Sequence, residues 1–115
     1  MKIISKVWGF ECVLVSNELY SCKVMIIRGG YKCSVHYHKD KDETFLLLSG
    51  SVILDINAQN CVMEAFEPHR IHRGVKHSFS GYSPFSFVLE VATMDKAEDS
   101  YRETQSGRIE HETSD

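Results

Sequence analysis

Gly30-Tyr31-Lys32-Cys33-Ser34-Val35-His36-Tyr37-His38-Lys39-Asp40-Lys41-Asp42-Glu43, continued by the apolar run Thr44 to Leu48 and closed by Ser49-Gly50, is the stretch that decides the fold. His36 and His38 are two residues apart, so on a β-strand both imidazoles point to one face. Glu43 follows a short charged turn at the start of an apolar strand. A fourth donor, His77, lies downstream in Gly74-Val75-Lys76-His77-Ser78-Phe79. Three imidazoles and one carboxylate suit one divalent transition metal, with one or two coordination positions left for water or substrate. These nitrogen and oxygen donors accept Zn, Mn, Fe, Ni or Co and do not choose among them. His69 and His72 are alternative donors, read more simply as surface or pocket-rim residues.

Outward from this stretch the chain reads as many short strands with turns between them. Strands are expected over 11–16, 22–28, 33–38, 44–48, 51–56 and 77–80, with shorter ones over 61–66 and 68–72. The clearest late strand is 85–93, where Phe85, Phe87, Leu89 and Val91 form one face and Ser86, Val88, Glu90 and Ala92 the other. Asp95 with Glu98 fits a capping box and predicts a short helix over about 96–103. Regularly spaced short strands imply a sandwich or barrel. The expected organisation is one domain over 1–104 and a polar, mobile tail over 105–115. A domain of 115 residues leaves much surface exposed, so a homodimer is expected.

Net charge is −3 and no basic face is visible in the sequence, which argues against a nucleic-acid partner. No apolar run reaches the roughly 20 residues that span a bilayer. Met1 to Lys6 lacks the apolar core of a signal peptide. Cys12, Cys22, Cys33 and Cys61 form no CxxC pair, so the thiols are expected to be reduced and packed in a cytoplasmic protein. Cys33, beside the paired histidines, is read as packed rather than as a reactive thiol.

The spacing glycine, five residues, His-x-His, four residues, Glu, six residues, glycine resembles the first motif of the cupin superfamily. Gly30, His36, His38, Glu43 and Gly50 fill its positions. The second motif of that superfamily is partly kept in Ile71-His72-Arg73-Gly74-Val75-Lys76-His77, with His72 where proline is common. The resemblance implies an all-β fold, the double-stranded β-helix or jelly roll, with His36, His38, Glu43 and His77 as metal ligands. A further likeness covers residues 6 to 108. Lys6-Val7-Trp8-Gly9-Phe10-Glu11, Cys22-Lys23-Val24, Ser34 to His38, Glu90-Val91-Ala92-Thr93, Asp99 to Arg102 and Ser106-Gly107-Arg108 resemble segments of type II mannose-6-phosphate isomerase cupins. His36 stands where that family commonly has glutamine, and Ser106 where it has tyrosine.

That likeness implies a metal-dependent isomerase or epimerase acting on a sugar or sugar phosphate through an enediolate. A metal with an open position stabilises negative charge on oxygen, and a base moves the proton. Lys23 and Glu90 are the candidates for proton transfer. Arg102 and Arg108 are candidates for an anionic substituent, through their planar forks. Trp8 is a candidate for stacking on a sugar face. Two other readings stay open: a non-catalytic sugar-binding module, and a small Fe(II) cupin dioxygenase.

Overall fold

The computed structural model describes residues 1–110. In chain order the strands are β1 (Lys2–Lys6), β2 (Gly9–Ser16), β3 (Tyr20–Arg28), β4 (Tyr31–Lys32), β5 (His36–Tyr37), β6 (Glu43–Ser49), β7 (Val52–Ile56), β8 (Gln59–Val62), β9 (Pro68–Ile71), β10 (His77–Gly81), β11 (Phe85–Thr93), β12 (Tyr101–Arg102) and β13 (Gly107–Arg108). One sheet runs β1-β2-β3-β11-β6-β9. The second is built around β10, which pairs with β7 on one side and with β4 and β5 on the other. β8, β12 and β13 extend it. Every pairing between these strands is antiparallel. The two sheets make the jelly roll expected from the sequence.

Period-two alternation sets which side chains enter the roll. On β3, Ser21, Lys23, Met25 and Ile27 are buried; on β11, Ser86, Val88, Glu90 and Ala92; on β6, Glu43, Phe45 and Leu47. Met25, Ile27, Val88, Phe45 and Leu47 join Trp8, Val52, Leu54 and Phe79 in one core. Each such side chain contributes roughly 1.5–3 kcal/mol by leaving water. The polar members, Lys23, Glu43 and Glu90, lie on neighbouring strands in register, since Glu90 pairs with Lys23 and with Phe45. Charge inside the roll is therefore concentrated at one end. Both glycines that bound the opening stretch have positive φ, Gly30 at 85° and Gly50 at 103°. A Cβ on Gly50 would drive into the backbone and side chain of Ser86.

Four local readings change. β1 is present where no strand was expected, and pairs along its whole length with β2. The strand expected over 33–38 is two short strands, β4 and β5, separated by residues 33–35. There the Ser34 and Val35 amides donate to the hydroxyls of Ser106 and Thr104 instead of to a ladder. The strand expected over 61–66 lies earlier, as β8. The helix expected over 96–103 is a single 3₁₀ turn, Ala97–Asp99, whose N-cap position is Lys96 with no side-chain cap. The reason is that Asp95, expected to cap it, directs its carboxylate to Lys23 and Lys41. Within the segment expected as a mobile tail, β13 pairs with β4 and the Ile109 amide donates to the Gly30 carbonyl; residues 111–115 lie outside the described residues. No helix of the described residues is long and apolar enough to cross a membrane.

Candidate metal centre

His36 on β5 and His77 on β10 sit directly opposite each other in the antiparallel ladder, and His38 follows His36 by two residues. Local strand geometry and cross-strand register thus bring three imidazoles to one point. One ligand atom from each lies within 4.8 Å of the others. Each Nδ1 faces a backbone carbonyl: His36 that of Ser34 at 2.7 Å, His38 that of Asp99 at 2.8 Å, His77 that of Val75 at 2.9 Å. A carbonyl only accepts, so in the neutral ring Nδ1 carries the proton and Nε2 keeps its lone pair. All three rings are oriented and set in the ligating tautomer by main-chain groups.

Glu43 completes the convergence. Its Oε1 is 2.7 Å from His77 Nε2 and 3.8 Å from His38 Nε2. His38 Nε2, His77 Nε2 and Glu43 Oε1 are buried acceptors turned toward one another, while Glu43 Oε2 faces the Lys41 ammonium at 3.1 Å. Buried polar atoms normally have a hydrogen-bond partner, because leaving them unpaired costs on the order of 1–3 kcal/mol each. Acceptor atoms that meet one another without protons between them are the arrangement a divalent cation satisfies, so these residues fit a metal. Burial and the neighbouring His77 push His36 down to about 3, and burial with the Lys41 charge lowers His38. Both rings stay neutral at physiological pH. Burial opposes the Glu43 charge, but the Lys41 ammonium beside it favours the carboxylate and lowers its pKa from the usual range. Metal ligation requires the deprotonated forms that His36, His38 and Glu43 take here.

Behind this centre runs a chain of buried ion pairs that sequence reasoning missed. Lys41, expected in a polar turn, is buried. Its ammonium lies 3.1 Å from Glu43, 3.3 Å from Asp95 and 3.6 Å from Glu90. Lys23 continues the chain, 2.8 Å from Asp95 and 3.6 Å from Glu11. Burial works against the Lys23 charge, but Glu90, Glu11 and Asp95 outweigh it and raise its pKa, so it is an ammonium. Glu90 differs from the other acids. Burial and the Glu43 charge raise it to about 7, and its Oε2 is buried without a hydrogen-bond partner.

Asp99, quoted in the sequence only as part of the segment Asp99 to Arg102, is a second residue whose role was not assigned. Its carboxylate accepts from the backbone amides of Lys39, Asp40 and Lys41, while its carbonyl holds His38. The sequence placed Asp99 in the helix expected over 96–103 and in the segment Asp99 to Arg102, neither of which points to the loop amides.

A cavity of about 70 Å³ adjoins the centre, walled by Trp8, Lys23, His36, Lys41 and Glu90 among others. It shares Lys6, Glu11, Lys23 and Arg102 with an outer chamber of about 220 Å³. The structure therefore brings His36, His38, Glu43, His77, Lys23, Glu90, Trp8 and Arg102 to one region. Trp8 is 5% exposed and packs edge-to-face on Phe79 at 4.8 Å, so it is core as well as cavity wall. Arg102 donates to Ser34 Oγ at 2.8 Å. Arg108 is not brought there; it lies over Tyr31 and donates to its hydroxyl. His72 is exposed, and His69 lies near Cys61 at 4.0 Å.

A family model described as a cupin domain matches residues 23–91. The chain belongs to the cupin family. Solved structures agree with the cupin fold. KdgF from Halomonas sp. superposes with a TM-score of 0.77 at 9% identity, covering 85% of this chain and 90% of that one. The capsular polysaccharide assembling protein CapF from Staphylococcus aureus gives 0.78 at 16% identity, over 88% of this cupin and 33% of CapF. A provisionally assigned sugar phosphate isomerase from Acidithiobacillus ferrooxidans gives 0.61 at 16% identity, over 67% of this cupin and 51% of that chain. At these identities the likeness is one of fold. No curated protein matches the sequence significantly.

Proposed function

We propose that this cupin is a metal-dependent isomerase or epimerase of a small sugar or sugar phosphate, resembling mannose-6-phosphate isomerase cupins in its chemistry. The observation that carries the reading is Glu90: a buried carboxyl raised to about 7, with an unpaired oxygen, in the wall of a cavity that also contains His36. A base poised near neutral pH is what proton abstraction next to a carbonyl requires. The sugar-related names among similar folds, CapF and the provisional sugar phosphate isomerase, agree with that substrate class.

His36, His38, His77 and Glu43 would hold the metal, which supplies a Lewis acid for carbonyl and hydroxyl oxygens. Glu90 takes the proton from the carbon beside the carbonyl; the C–H electrons become the C=C bond of an enediolate. Glu90 then returns the same proton to the neighbouring carbon. The Lys23 ammonium, fixed by Asp95 and Glu11, gives a proton to the former carbonyl oxygen and recovers one from the adjacent hydroxyl. Atoms balance with no external oxidant. The Lys41 ammonium keeps Glu90 from being lifted further by Glu43. The inner cavity takes the reacting end. Arg102 and Lys6, shared with the outer chamber, face the remainder, including a phosphate. The four cysteines are free thiols, which suits a reducing compartment such as the cytoplasm.

The test is a coupled assay of metal-replete protein with mannose 6-phosphate and related aldoses, in the presence of Mn, Zn or Ni. Turnover that disappears on chelation and in Glu90→Gln supports the reading. No turnover across the panel, with ligand binding that survives complete metal removal, would favour a sugar-binding module instead.

A further inference from the structure

Two arginines that the metal centre does not use converge on one phenol. Arg28 ends β3, and Arg108 on β13 pairs with Tyr31 on β4. The Arg108 Nε donates to the Tyr31 hydroxyl at 3.4 Å, and its guanidinium lies 5.8 Å from the ring centre. The Arg28 guanidinium lies 6.0 Å from the same ring and 6.0 Å from that of Phe10, so two aromatic rings hold it. Both cations bear on the hydroxyl: the Arg108 hydrogen bond and charge, then the Arg28 charge and hydrogen bond, lower the Tyr31 pKa. Arg70 and Arg73 are neutralised by Asp42, whereas neither Arg28 nor Arg108 has a carboxylate oxygen within 4.0 Å among the described residues. Two like charges drawn to one oxygen, with no acid between them, repel each other until an anion joins them.

We propose that Arg28, Tyr31 and Arg108 bind the phosphate group of a small molecule, at a site separate from the metal centre. On β11, Phe85 pairs with Arg28 and Ala92 with Glu43, and the seven residues between these pairs are about 23 Å of strand. The chemistry selects phosphate. Each guanidinium is a planar fork that matches two phosphate oxygens. The phenol accepts from Arg108 and keeps its own O–H to donate. Two positive charges match a phosphate dianion, whereas a carboxylate, with one charge and two oxygens, leaves one fork empty. The donors are held in advance, Arg28 by Phe10 and Tyr31 and Arg108 by the pairing of β13 with β4, so little ordering is left for binding. Both arginines are exposed, so an anion reaches them from solvent. Two cations on a chain of net charge −3 are too few for nucleic acid or an anionic lipid surface, which need an extended basic face. The inference does not depend on catalysis.

NMR titration of the full, metal-replete chain with inorganic phosphate tests it, read at the arginine Nε–H signals. The background is about 0.15 M sodium chloride, which screens unspecific attraction beyond about 8 Å. The Arg28 and Arg108 signals are expected to move together and saturate with one Kd. Arg28→Gln and Arg108→Gln, taken singly, are each expected to weaken binding about 10- to 100-fold, as loss of a charged hydrogen-bonding group does. Arg28→Lys keeps the charge but not the fork, and is expected to recover only part of that loss. Arg102→Gln, on the strand beside His36, leaves the titration unchanged. Mannose 6-phosphate and adenosine monophosphate, titrated in the same way, distinguish the sources of the group. An ester that binds more tightly than inorganic phosphate makes a phosphomonoester the ligand; equal or weaker binding of both esters makes it free phosphate. Signals that move no further than with sodium chloride of equal ionic strength overturn the proposal. So does phosphate binding that is as tight in both glutamine variants as in the native chain, or that is lost in Arg102→Gln and kept in Arg28→Gln. Both glutamine variants are expected to keep a folded circular dichroism spectrum, because both side chains are exposed. If Arg108→Gln does not fold, Arg28→Gln still decides the matter.

Discussion

His38 Nδ1 lies 2.8 Å from the backbone carbonyl of Asp99, and the Asp99 carboxylate simultaneously accepts from the amides of Lys39, Asp40 and Lys41. One residue thus orients a metal-ligating ring and pins the loop that carries Lys41 to Glu43. Those two jobs are separable, because one uses the main chain and the other the side chain.

Asp99→Ala removes only the side-chain job. The three loop amides lose their acceptor and the loop between His38 and Glu43 loosens, while the main-chain carbonyl that faces His38 remains. Metal affinity is expected to fall about 10- to 100-fold, the usual cost of a lost outer-shell partner. Hydrogen exchange at residues 39 to 41 should accelerate in parallel. Unchanged exchange and unchanged affinity would remove Asp99 from the account.

Glu90→Gln tests the proposed base. The substitution keeps size and removes the charge that can accept a proton. Turnover should drop about 100- to 10,000-fold while bound metal stays constant. The sign of the pH dependence follows from the raised pKa. Below about 7 the carboxyl is protonated and cannot act as a base, so kcat/KM rises with pH through that region in the native protein. An acid limb centred near 4.5, the ordinary glutamate value, would argue against Glu90.

Lys41→Met leaves the buried Glu43 and Glu90, and the partly exposed Asp95, without the ammonium between them. Breaking a buried ion pair from one side typically costs about 3–5 kcal/mol. Denaturant titration of the metal-free protein should show a loss of that order. The double substitution Lys41→Met with Glu90→Gln should recover part of it, since one of the stranded charges goes too.

Cys33 is 4% exposed and accepts from the Phe79 amide, and burial pushes its thiol up to about 12. The thiolate is the reactive form. Mass spectrometry after iodoacetamide treatment at pH 8 should find Cys33 unmodified in the folded protein and alkylated after denaturation. Rapid native labelling of Cys33 would contradict the packing described.

Alternation and turn chemistry exposed the strands, and the His-x-His spacing exposed the imidazoles, because both depend on residues close in sequence. What stayed hidden depends on long-range contacts. Lys41 sits in a run of five charged residues that locally reads as a solvated turn; its burial is made tolerable by Glu43 together with Asp95 and Glu90 from the far end of the chain. Asp95 was read as a helix cap for the same reason, since its real partners, Lys23 and Lys41, are over fifty residues away. β1 carries little periodic signal and is recruited by β2 across a tight turn. The alternation of β11 was visible, but which face points inward was not, because the apolar side turns out to be the exposed one.

Elemental analysis of purified protein, run beside His36→Ala and His77→Ala variants, tests the metal centre most directly. The account predicts one divalent transition-metal ion per native chain and a large loss of that ion in both variants, with the fold retained. Metal-free native protein that takes up none on incubation with Zn, Mn, Fe, Ni or Co, or variants that hold metal as tightly as the native chain, would contradict it.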